Sequence, residues 1–218
     1  MNKLQLVQRF CREAGISFSG PSTTIAQTGQ FRQAVDWIDA AYEDIQFLHE
    51  NWNFLREDFT FSTSDAVLAI PELGSWKGDS FRCYQTSLGV VDEQELCYIP
   101  WDAFRDAYLY GSSRTETGRP TVVSVKPDKS LSLWPTAVEV YTVVCEYYMK
   151  PQTLDADADT PIFPDAFHMA IVWKALSYYG IHASEPDKDL AGQREFKRLI
   201  PKLEFRELPK WQWGAPLA

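Results

Sequence analysis

Apolar residues recur at helical spacing at the two ends of the chain and alternate with polar ones in the middle. Leu4, Val7, Phe10, Cys11 and Ala14 mark an amphipathic helix over residues 2–14, with Gly15 placed as its C-cap. Residues 16–24 form a polar loop rich in Ser, Thr and Gly. From 29 to 56 a long stripe follows: Phe31, Val35, Ile38, Tyr42, Ile45, His49 and Trp52, broadened by Leu48 and Leu55. It predicts a helix of about 28 residues and about 42 Å, a length suited to a scaffold element. The period then changes. Residues 58–63, 81–86, 121–126, 130–134 and 138–149 alternate as strands, with a hairpin turn at Pro127-Asp128-Lys129 and a short helix at 101–108. Helical period returns at 165–181, with Pro164 near its start and Gly180 as its stop, and again at 187–207, where Pro201 should kink or split the helix.

The pattern predicts an α+β fold. Residues 1–57 and 151–207 make a helical core, 58–150 a β-rich insertion, and 208–218 an extended C-terminal tail.

The chain has 218 residues, 45% of them hydrophobic and 23% charged, enough for a folded core. Its formal net charge of -9 argues against a dedicated nucleic-acid-binding module. No apolar run approaches the roughly 18 residues of a membrane span, and the start lacks the apolar centre of a signal peptide. Cys11, Cys83, Cys97 and Cys145 are scattered and form no CxxC, so they read as buried thiols rather than zinc ligands or a disulfide scaffold.

No complete chemical motif is present. His49, His168 and His182 do not form HExxH. Asp155, Asp157 and Asp159 copy the first half of a calcium loop, but Thr160 stands where Gly is required and Ala166 where a bidentate Glu is required. This segment therefore reads as a solvated acidic linker. Lys77-Gly78-Asp79 reads as a turn. No catalytic, cofactor or metal site is expected.

The tail raises a different question. Trp211 and Trp213 lie between Pro209 and Pro216. Two Trp in a segment with little structure of its own need burial, on the chain's own body or on a partner. On sequence alone both remain open.

Four stretches together resemble the head-to-tail adaptor proteins of tailed bacteriophages, over about residues 5–205. The first is Leu6–Ile16 with Gly20-Pro21 and Gln27–Gln30. The second is Val35–Gln46 running into His49, Trp52, Phe54–Arg56 and Phe59. The third is Tyr98–Arg105 with Arg119-Pro120 and Lys126–Asp128. The fourth is Tyr147–Pro151 with Asp157–Pro161, Phe163-Pro164, Phe167-His168 and Ala170–Val172.

The resemblance implies a structural virion protein at the head-tail interface, made in the host bacterial cytoplasm. It implies a ring, usually of twelve copies, under the portal, extending the DNA channel and receiving the next tail component. The expected partners are the portal protein, neighbouring adaptor subunits, a tail or stopper protein, and double-stranded DNA passing without specific binding. With a portal as partner, Phe196, Leu203, Leu208, Trp211 and Trp213 become the expected anchors. An acidic lumen is expected, lined by carboxylates of the 29–56 helix or the β insertion. The rival readings are a stopper or tail-terminator ring, and a small cytoplasmic enzyme whose site is assembled only in space.

Overall fold

The computed structural model describes residues 1–63, 70 and 72–210. Its α-helices are α1 (Lys3–Ala14), α2 (Gly29–Phe47), α3 (Trp101–Tyr108), α4 (Met169–His182) and α5 (Pro186–Glu207). Its strands are β1 (Arg56–Ser62), β2 (Leu73–Trp76), β3 (Arg82–Gln85), β4 (Gln94–Glu95), β5 (Cys97–Tyr98), β6 (Thr117–Gly118), β7 (Val122–Val125), β8 (Leu131–Trp134), β9 (Thr136–Ala137) and β10 (Tyr141–Met149). The fold is mixed α+β. The chain divides into two compact units, one of Met1–Leu55 with the residues from Pro151 on, the other of Arg56–Lys150.

In the first unit α4 is the central element, packed against α1, α2 and α5. Its sequence is apolar nearly all round, as a helix covered on several sides must be. Phe10 of α1, Trp37 of α2 and Tyr179 of α4 meet as a three-ring cluster with centroids 5.6–6.1 Å apart. The start of α1 is closed by a capping box: Asn2 Oδ1 accepts from Gln5 N, and Gln5 Oε1 accepts from Asn2 N. Gly15 ends it at a φ of 77°, the left-handed conformation expected of that glycine.

Three helical expectations are corrected. First, α2 has 19 residues, not about 28, and stops at Phe47. Trp52 is in phase with the stripe but lies beyond a turn. Its indole N–H donates to the Gln46 carbonyl at 3.1 Å, taking an acceptor that helix continuation would have used. Gln46 is buried and pairs through its amide with both backbone groups of Gln152, at 2.8 and 3.0 Å. Second, Gly180 does not end a helix. It is buried inside α4, where a Cβ would lie 2.3 Å from the Asp189 backbone nitrogen of α5. Third, α5 runs through Pro201 as one helix. Pro201 and Lys197 are both exposed, so the Lys197 carbonyl left without a backbone donor lies on the water side.

In the second unit β10 is the spine of a five-stranded antiparallel sheet. β1 pairs with it from Ser62↔Thr142 to Arg56↔Tyr148. On its other edge β3 and β2 follow one another, pairing with Tyr141–Val144 and Tyr147–Met149. The pairing shifts between Tyr148 and Met149, and Gly74 is needed there, since a Cβ would meet the Met149 carbonyl at 2.7 Å. Lys77-Gly78-Asp79 forms the turn between β2 and β3. Lys77 Nζ sits 3.0 Å from both Asp79 and Glu146.

A second sheet joins β5, β7 and β8, and the expected hairpin at 127–129 is present. Asp128 accepts from both the backbone N–H and the hydroxyl of Ser130, and Lys129 takes a φ of 67°. Phe61, Phe81, Cys83, Val143 and Cys145 bury against Leu96 and Val123. The β10 strand begins at Tyr141 rather than Val138, which is exposed. Cys11, Cys83 and Cys145 are buried, and burial pushes the Cys145 thiol up to about 12. Cys97 is exposed, contrary to the reading of all four as interior thiols.

Arg119 clamps a loop to this unit. Its guanidinium donates to both carboxylate oxygens of Asp92 at 2.8 and 2.9 Å, to the Asp92 carbonyl at 2.6 Å and to the Cys83 carbonyl at 3.1 Å. Asp92 also accepts from the Gln85 amide at 2.9 Å. The Gln85 amide and the Arg119 guanidinium together hold its carboxyl below the usual range.

Candidate functional site

The residues singled out for chemistry have structural partners. Asp157 is not a solvated linker residue. It accepts from the Thr23 hydroxyl and the Thr24 N–H at 2.6 Å and from the Thr24 hydroxyl, which ties the 16–24 loop to the 151–161 link. Asp159 accepts from the amides of Asp155 and Ala156 at 2.8 and 2.7 Å. The carbonyls of Asp159 and Asp157 also accept from the first amides of α1, Lys3 and Leu4. These bonds stabilise the ionised side chains, so both carboxyls are held below their ordinary value. Among the described residues no group of three or more His, Cys, Asp or Glu could hold a metal ion. We expect Asp157→Ala to lower the urea midpoint clearly, and Asp155→Ala, at an exposed position, to leave it nearly unchanged. Equal midpoints would show that the link is held otherwise.

His49 sits at a helix contact, its Nε2 3.0 Å from Glu204 of α5 and its ring edge-on to Trp52. His168 is buried. Its Nε2 faces the Phe163 carbonyl at 2.9 Å and must carry the proton, so Nδ1 accepts, 2.7 Å from the Met1 nitrogen. Burial lowers its pKa from 6.5. A histidine that resists protonation only when folded takes up fewer protons than the unfolded chain. Its contribution is therefore fully present above about pH 6.5 and is lost as the pH falls from there toward the lowered folded value. The expected result is a decline in stability between pH 7 and 5 that flattens in His168→Gln. An unchanged slope in that variant would assign the decline to other groups.

The surfaces carry more information than any pocket. Along the outward side of α2 run Arg32, Asp36, Ala40, Glu43 and Phe47, all exposed, with Arg32 paired to Asp36 at 2.9 Å. Beside them Asp39, Glu43 and Asp155 line a groove of about 180 Å³. Asp39 is paired with Lys3 at 2.8 Å, and burial, with Asp36 and Asp155 adding to it, still raises its carboxyl. Along the outward side of α5 run Leu190, Arg194, Arg198, Pro201 and Phe205, flanked by Lys197 and Lys202, and all are exposed. In the second unit Leu88, Val90, Val91, Val138 and Val140 are exposed apolar residues.

The expected anchor residues divide. Leu203 is 0% exposed, part of the core of its own unit, and so is not on the surface of the chain. Phe196 is half-buried against α4, with Lys174 Nζ 5.3 Å from its ring centre. Leu208 is half-buried just after α5, its N–H donating to the Glu204 carbonyl at 2.9 Å. Trp211 and Trp213 lie outside the described residues. Sequence reading missed Phe205, which is 79% exposed. Its signal was available: it falls opposite the inward stripe of Phe196, Ile200 and Leu203.

No helix among the described residues is long and apolar enough to cross a membrane. No curated protein matches the chain. A family model described as SU10 adaptor protein matches residues 1–217, nearly the whole length and both units. The chain therefore belongs to the SU10 adaptor protein family, a phage head-to-tail adaptor family whose members are structural.

Proposed function

We propose that the protein is a head-to-tail adaptor that forms a ring, of twelve copies, beneath the portal of the filled capsid. The observation that carries this reading is the family match across residues 1–217. In this reading the helical unit is the core of each subunit and Arg56–Lys150 is a β-rich insertion into it. The ring extends the DNA channel and offers a docking surface to the next tail component. Its lumen is acidic, so that DNA passes without sticking, which suits a chain of formal charge -9. The segment after α5 reaches the portal, with Trp211 and Trp213 as apolar anchors and Leu208 and Phe196 near its base.

Quantifying the protein in purified DNA-filled particles tests this. The reading expects about one ring's complement of copies per particle. Absence from particles would contradict it.

A further inference from the structure

The helical unit carries opposite charge on two opposed faces. On α4, Trp173, Ser177 and Gly180 meet α5: a Cβ on Gly192 would lie 2.7–2.8 Å from Trp173 and Ser177 backbone atoms, and Gly180 abuts Asp189. Tyr178 and Tyr179 fall on the other side by helical spacing, where the Tyr178 hydroxyl donates to Asp44 of α2 and Tyr179 meets Trp37 of α2 and Phe10 of α1. So α5 and α2 lie on different sides of α4, and each has a free outward face. The α2 face is acidic on balance: Asp36, paired at 2.9 Å with Arg32 one turn earlier, and Glu43 flank the small Ala40, and Asp39, paired with Lys3, and Asp155 lie in the adjoining groove. The α5 face is basic, with Arg194, Lys197, Arg198 and Lys202. Glu195 is engaged by Arg194 and Arg198, while no ion pair among the described residues involves Lys197 or Lys202. Each face also ends in an exposed phenylalanine, Phe47 on α2 and Phe205 on α5.

We propose that these two faces are the halves of one head-to-tail interface, in which the basic outward face of α5 of one copy docks on the acidic outward face of α2 of the next. This deepens the adaptor reading and rests on it. Three features favour a second copy over DNA as the occupant of the α5 face. A complementary surface exists on the same chain. Phe205, Pro201 and Leu190 interrupt the basic stripe with apolar surface that phosphates would not cover. And two unlike faces on opposed sides of one body generate a ring when the rotation closes. The interface places the α2 carboxylates between copies.

The test uses two full-length variants, Asp36→Lys/Glu43→Lys and Lys197→Glu/Lys202→Glu, with folding checked by circular dichroism. All four positions are exposed, so the fold is not at stake. Masses are measured by mass photometry and native mass spectrometry at 50–500 mM salt, a range over which surface charges become screened. Wild type should self-associate, less so as salt rises. Each variant alone should associate at least ~10-fold more weakly, the ratio set by about 1.4 kcal/mol. Mixed in equal amounts they should associate again, because the acidic α5 of one now meets the lysine-bearing α2 of the other. Variants that associate like wild type, a mixture that stays monomeric, or a monomeric wild type would each overturn the interface. So would binding of a short DNA duplex lost in Lys197→Glu/Lys202→Glu while association is unchanged. If the variants form normal rings on particles, only this interface fails. If wild type is absent from particles, the adaptor reading fails instead.

Discussion

Gly180→Ala should destabilise the helical unit by about 1–3 kcal/mol, although helix propensity alone gives the opposite sign. In an exposed helix interior, glycine to alanine gains about 1 kcal/mol. Gly180 is not such a position. A Cβ there would lie 2.3 Å from the backbone nitrogen of Asp189 and 2.8 Å from its Cα. Those are main-chain atoms of α5 and cannot rotate aside, so the helices must separate. The shift would spread along the contact, because Gly192 is also closely seated, with a Cβ there 2.7–2.8 Å from Trp173 and Ser177 backbone atoms. Overpacking of this kind costs about 1–3 kcal/mol and at times more, which outweighs the propensity gain. Gly180→Val, with two further methyl groups and a β-branch, should fail to give a cooperative transition. Urea denaturation decides the matter: a midpoint for Gly180→Ala above wild type would mean that α4 and α5 do not approach as closely as described.

Removing residues 209–218 should leave a folded protein that no longer joins portal-bearing heads. The body ends before this segment: α5 closes at Glu207, and the Leu208 N–H already bonds the Glu204 carbonyl. The truncation therefore removes no described part of the helical core. What it removes is Trp211, Trp213 and two prolines. Buried Trp anchors at interface centres are worth about 2 kcal/mol or more each. Losing both would weaken attachment by roughly a thousandfold, at about 1.4 kcal/mol per decade. Trp211→Ala/Trp213→Ala should reproduce most of the defect. Head occupancy by quantitative mass spectrometry and the urea midpoint together separate the readings. Normal occupancy would remove the tail from the portal contact. A lowered midpoint would show that the indoles fold back onto their own subunit.

The parts of this fold that were legible in the sequence are those decided by neighbours in the chain. Gly15 stops α1 because only the local backbone needs a left-handed residue there. The turn after β7 closes because Asp128 bonds Ser130 two residues on. The helix at Trp101–Tyr108 begins directly after Pro100. The parts that were not legible depend on groups far away in sequence. Trp52 continues the α2 stripe in phase, and only its bond back to Gln46, with Gln46 in turn held by Gln152, shows that the helix has ended. Gly180 looks like a stop until α5 is laid against it. Asp157 looks like linker until Thr23 and Thr24 arrive from more than a hundred residues away. Pro201 reads as a break, yet a proline on the water side of a helix held by Ile200 and Leu203 is tolerated. The candidate surfaces were half-legible. The acidic character of α2 is plain in the sequence. That α5 turns its basic residues and Phe205 outward together follows from helical spacing once the helix is known to run unbroken through Pro201.

Cryo-electron microscopy of the intact particle would show whether a ring of this chain sits between portal and tail. The expected image is a closed ring immediately beneath the portal, twelve copies around a channel lined by carboxylates, with density for the last residues reaching the portal. A ring found only at the far side of the neck, out of contact with the portal, would contradict it, as would a channel lined mainly by Lys and Arg.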